Sequence, residues 1–164
     1  KLKQAGVSSI KIEGRMKTEY YVANVVNAYR QALDYLNSNK EYNLPEEIRN
    51  EVFKSSHRGY STGFFFGDPK QSLDSSLPLS DYDFVAVVVE NTSNGKTLVE
   101  MRNKFIANSE LELLSKYKNN DIIKIEKIED LDGNVIDDCK ITKQQVYITT
   151  DKPLKKNEIL RRKK

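Results

Sequence analysis

Along residues 18–36 the apolar positions recur with a helical period. Val22, Val25, Val26, Tyr29, Leu33 and Leu36 share one stripe, while Asn24, Asn27, Arg30, Gln31 and Asp34 take much of the remaining surface. This spacing predicts an amphipathic helix ended by Asn37-Ser38-Asn39. Upstream, residues 7–12 alternate weakly and carry β-branched side chains, which predicts a short strand running into that helix. A second helix is expected from Pro45, whose fixed φ suits a first helical position. Glu46 and Glu47 then fall in the first turn, where negative charge is favoured.

Beyond Asp81 the period changes to two. "FVAVVVE" is a continuous apolar run closed by the turn "NTSNGK", and in "TLVEMRNKF" Val99, Met101 and Phe105 alternate with Glu100, Arg102 and Lys104. "DIIKIEKIE" alternates until Ile128 breaks phase, which predicts a bulge. Asp132-Gly133 is a turn signal between two further strand-like runs. Five to seven short strands predict a small closed barrel or sandwich. The chain therefore divides into an α/β segment over 1–66, a Ser-, Pro- and Asp-rich linker over 67–80, and a β domain over 81–164. Its opening "KLKQAG" resembles a helix tail, an expectation of a longer parent polypeptide.

Charge sharpens this picture only at one end. The chain of 164 residues carries a net +3, with 31% charged and 38% hydrophobic residues. Residues 152–164 hold seven Lys/Arg against Glu158 alone, a local +6 that leaves −3 elsewhere by difference. Such a run attracts phosphate or another anionic surface, so Lys155, Lys156, Arg161 and Arg162 are candidate binding residues. No apolar run reaches the ~20 residues that span a bilayer, and no membrane partner is expected. One cysteine, Cys139, and one histidine, His57, leave no metal-ligand set of zinc type. A lone thiol is compatible with a cytoplasmic location.

Two stretches carry candidate chemistry. In "KIEGR", Glu13 and Arg15 flank the turn-permitting Gly14 where a strand is expected to enter a helix, the position of the catalytic rim in parallel α/β folds. A carboxylate and a guanidinium there are the candidate catalytic pair, or else a structural ion pair. In "HRGYSTGFFFG", His57 with Ser56 or Ser61 lacks the third group and oxyanion donors of a nucleophilic site. Tyr60, Phe64, Phe65 and Phe66 are instead expected to pack the joint between the two parts, so that Phe65→Ala would cost about 3–5 kcal/mol. The alternative is base stacking by exposed aromatics beside basic residues. Cys139 lies between acidic neighbours that disfavour its thiolate.

"KIEGRMK", "YYVANVVNAYRQALD", "SHRGYSTGFFFG", "VEMRNKF" and "EILRR" occur in an order that resembles the C-terminal part of the collagenase-like peptidase family of unknown catalytic type, number thirty-two. The resemblance implies the last strand and helix of a TIM-like barrel, with residues 7–37 supplying them. It further implies a small β-barrel similar to those of translation elongation factors. It implies a peptidase acting on protein or peptide substrates, or alternatively a tRNA or rRNA hydroxylation protein binding RNA through the basic end. Some members carry an iron–sulfur cluster on four cysteines, which would belong to the part before this chain. Of the implied pocket, only Glu13 and Arg15 fall here, so the isolated chain is expected to be an inactive accessory domain.

Overall fold

The computed structural model describes the backbone of residues 1–38, 43–68, 79–116 and 118–164, with side chains throughout except at 118–120. Most of the expected linker, residues 69–78, lies outside the described residues. Helix α1 spans Glu19–Ser38 and α2 spans Glu46–Glu51, followed by a 3-10 turn at Val52–Lys54. Pro45 precedes α2 as its cap rather than as its first residue. Among the described residues nine strands follow: β1 Tyr82–Val88, β2 Thr97–Met101, β3 Phe105–Ile106, β4 Glu110–Ser115, β5 Lys118–Glu129, β6 Val135–Ile136, β7 Asp138–Cys139, β8 Gln145–Thr150 and β9 Ile159–Lys163.

Six of these strands close an antiparallel barrel. The order β4-β9-β1-β2-β8-β5 returns to its start through the β4–β5 pairing, and β6 extends β5 at one end. Closure removes the open edges that make small sheets prone to aggregate. The short β3–β7 ladder sets Phe105 opposite Cys139, and both side chains are buried in the barrel core with Val85, Met101, Leu111, Ile125 and Leu160. Strand β5 serves two neighbours by bending. Its register with β8 shifts between Ile125 and Lys127, and this restores Ile128 to the interior, where it is fully buried. The expected phase break is this bulge. Asn94 and Gly95 both adopt positive φ in the β1–β2 connection, as a tight hairpin turn requires.

Helix α1 lies across the outer face of β1, β9 and β4. Tyr20 packs with Leu114 and Ile159 and stacks on Phe84 at 5.4 Å between ring centres. The barrel contact is made by Tyr20, Ala23 and Asn24, not by the whole predicted stripe: Val25 is buried, whereas Val22, Val26 and Tyr29 are exposed. Residues 7–12 form no β-ladder with any described residue, although their alternation predicts a strand. A ladder needs a second backbone to bond, and here Val7 and Ile10 remain exposed.

Candidate functional site

At the corner between residues 10–17 and α1, Glu13 and Arg15 are both exposed. A Glu13 carboxylate oxygen accepts a hydrogen bond from the backbone N–H of Arg15 at 2.9 Å, closing a local turn. Gly14 lets the chain pass close to α1, since a Cβ there would sit 3.0 Å from a methyl of Val22 and push that side chain aside. Lys17 then reaches the Ser56 carbonyl at 3.3 Å, drawing the corner toward the segment after α2. Glu13 and Tyr60 line one cleft of about 250 Å³ with Ile10, Lys11, Tyr21 and Val52. Two stretches singled out separately in the sequence thus share a surface.

Within that segment Phe53, His57 and Tyr60 form a ring cluster, with His57 stacked on Tyr60 at 4.6 Å and Tyr60 donating to the Val52 carbonyl at 3.0 Å. His57 Nδ1 lies 2.7 Å from the Arg58 carbonyl. The expectation for Phe64, Phe65 and Phe66 is overturned. They are 79%, 71% and 65% exposed and do not pack the joint. The joint is filled by polar side chains, leaving the three rings on a loop outside it.

Those polar side chains form a buried cluster. Arg161 is fully buried; its Nε donates to Glu112 Oε1 at 2.7 Å, its Nη1 donates to Asn24 Oδ1 at 2.6 Å, and its Nη2 lies 2.6 Å from Glu51 Oε1. Lys54 reaches Glu112 at 2.8 Å and Glu51 at 3.2 Å. Asn24 donates to the Glu51 carbonyl at 2.8 Å, and the Tyr20 hydroxyl donates to that of Lys54 at 2.8 Å. Two cations and two carboxylates therefore balance across the boundary between helices and barrel. Burial pushes the Tyr20 hydroxyl up to about 12. For Glu112 burial acts in the raising direction, but the hydrogen bond from Lys54 and the charges of Arg161 and Lys54 prevail and hold it below the usual carboxylate range.

The sign of the resulting pH dependence follows from that lowering. A carboxyl whose folded pKa lies below its ordinary 4.5 stabilises the fold above that value, and the contribution is lost as pH falls through the folded pKa. Denaturant titrations between pH 6 and pH 3 should show stability falling on the acid side. Glu112→Gln should flatten the fall by up to about 1.4 kcal/mol per pH unit, one proton's worth. An unchanged slope in the variant would place the acid-sensitive group elsewhere.

The candidate binding residues are not one patch. Lys155 and Lys156 are exposed in the turn before β9, while Arg162 sits toward the far end of β9, ~10 Å beyond Ile159 at the rise of a strand. Arg161 is a correction. Strand parity turns it onto the face covered by α1, so its guanidinium is spent on the joint and is closed to an external ligand. Arg162 instead faces the barrel rim, where it and Lys164 approach Asp83 at 3.5 and 3.7 Å, while Lys104 and Lys140 approach Asp138 at 3.1 and 3.5 Å. Arg162 also donates to the Lys104 carbonyl at 3.3 Å, which joins the two groups.

Sequence reasoning missed Asn24, Glu51 and Glu112. An even–odd count along β9 and β4, set against a covering helix, is the one signal that pairs Arg161 with Glu112. Cys139 is buried, and burial with Asp138 pushes its thiol up to about 11. A single protonated thiol does not fit a four-thiolate cluster, and among the described residues no group of three or more His, Cys, Asp or Glu could hold a metal ion.

Comparison with known proteins gives consistent matches. The model of peptidase family U32 matches residues 1–75, and that of the peptidase family U32 C-terminal domain matches residues 80–161. The tRNA hydroxylation protein P1 of Bacillus subtilis is 32% identical over 169 residues, covering 100% of this chain and 40% of its own length. The uncharacterized protease MJ0090 of Methanocaldococcus jannaschii is 38% identical over 66 residues, 40% of this chain and 16% of its own. A crystal structure of the C-terminal domain of a U32 family protein from Geobacillus thermoleovorans aligns with a TM-score of 0.45 at 30% identity, covering 49% of this chain and 99% of that one. The chain thus spans less than half the length of these curated relatives.

Proposed function

This chain belongs to peptidase family U32, and on that premise we propose that it is the C-terminal accessory module of a cytoplasmic tRNA hydroxylation protein, binding tRNA for chemistry performed elsewhere on a longer polypeptide. The observation that carries this reading is the alignment with the Bacillus subtilis tRNA hydroxylation protein, which runs through the whole chain. The barrel rim supports it. Among the described residues, Lys104, Lys140, Arg162 and Lys164 gather there around Asp83 and Asp138, a cluster of cations that a phosphate backbone can engage.

Fluorescence anisotropy with unmodified tRNA, repeated from 50 to 300 mM salt, tests the reading. Affinity should fall steeply with salt. Replacing Lys104, Lys140 or Lys164 with Gln should lower the log–log slope by roughly one for each phosphate no longer neutralised. Binding that is absent at 50 mM salt, or indifferent to salt and to these lysines, would overturn it. A second reading, a module binding protein substrates of a peptidase, draws on the likeness of 66 residues to the Methanocaldococcus protease. Salt-insensitive binding of a collagen peptide in place of tRNA would favour it.

A further inference from the structure

We propose that Phe64, Phe65 and Phe66 form a stacking platform for unpaired RNA bases, an inference that rests on the tRNA reading above. Three consecutive aromatic side chains are each about two-thirds or more exposed, apolar surface of the kind that marks an interaction site. The loop that carries them has a defined shape. Gly63 and Gly67 adopt φ of +56° and +116°, conformations that L side chains rarely adopt, and the Phe65 N–H donates to the Thr62 carbonyl at 3.3 Å. The rings are therefore presented by a turned backbone.

The surroundings favour nucleic acid over a protein partner. Lys1 Nζ lies 4.3 Å from the centre of the Phe66 ring, Arg58 is exposed on the same segment, and Lys17 is held against Ser56. From Lys54 to Asp68 there is no aliphatic side chain, and Asp68 is the sole acid. Protein interfaces also enrich aromatics and arginine, but their buried centre is depleted in lysine, whereas here Lys1 lies over the Phe66 ring. Aromatic rings bracketed by cations suit single-stranded nucleic acid, with bases on the rings and phosphates on the lysines and arginine. Tyr60, on the same segment of chain, lines the cleft that Glu13 also lines.

The test uses the 164-residue chain, a stem-loop RNA with 2-aminopurine in its loop, and a fully paired duplex of the same stem. The wild-type protein should alter the 2-aminopurine fluorescence on binding. Phe65→Ala should weaken stem-loop binding by about 5- to 150-fold, the range for removing one base stack. Its salt slope, duplex affinity and thermal midpoint should stay unchanged, and Phe65→Tyr should restore binding. Wild-type-like stem-loop affinity and fluorescence in Phe65→Ala would overturn the platform while leaving the tRNA reading standing. A Phe65→Ala defect confined to collagen-peptide binding would also overturn it and mark a protein-docking loop. Failure of the wild-type chain to bind either RNA would remove the tRNA reading and the platform with it.

Discussion

Arg161→Met should lower the unfolding free energy by about 3–5 kcal/mol, the range for removing one partner of a buried ion cluster. The arginine has exchanged water for Glu112, Glu51 and Asn24. With Met in its place, the buried Glu51 and half-buried Glu112 carboxylates keep Lys54 as their cation and Asn24 Oδ1 loses the Arg161 donor. Arg161→Lys should recover little, because the three donors of a compact ammonium cannot span acceptors spaced for a planar guanidinium fork. Removing the carboxylates too, by Glu51→Leu and Glu112→Leu, should restore much of the stability, since no buried anion is then left short of partners. Hydrogen exchange would locate the effect: α1 amides should lose protection before those of the barrel. A drop under about 1 kcal/mol for Arg161→Met would mean that the cluster is well solvated.

Phe105→Ala should cost a similar ~3–5 kcal/mol by a different route, the cavity left by a buried ring. Phe105 is 1% exposed and stands on a two-residue strand whose partner is β7. So short a ladder cannot collapse onto the void without breaking its register with Cys139. Chemical denaturation should show the destabilisation with an unchanged m-value, and exchange should quicken first in the barrel amides. If α1 instead opened first, the helices and barrel would be less independent than the joint suggests.

The barrel was legible because each strand advertises itself locally. Alternation in "TLVEM", the turn at Asn94-Gly95 and the phase break before Ile128 are all properties of neighbouring residues. The joint was not legible in this way. Arg161 sits in a run of cations at 161–164, and composition assigns it to solvent. Its burial depends on Glu51, far earlier in the chain, and on which face of β9 a helix covers. The three phenylalanines failed in the opposite sense: hydrophobicity assigned them to an interior, yet the boundary had already been filled by Tyr20, Asn24 and Arg161. Glu13 and Arg15 stand at the corner before α1, but the strand expected before them needs a neighbouring backbone that the described residues do not provide.

The position of β9 in the strand order has a consequence for how the polypeptide matures. It is the last barrel strand in chain order, yet it lies between β1 and β4, with Lys163 opposite Tyr82. During synthesis, β1 and β4 must wait as two unzipped margins until the ribosome has delivered residues 159–163. The same five residues bring Arg161, the bolt that fastens the helices. A transcript truncated before Ile159 would therefore release neither half in finished form, and its open margins would invite pairing between nascent chains.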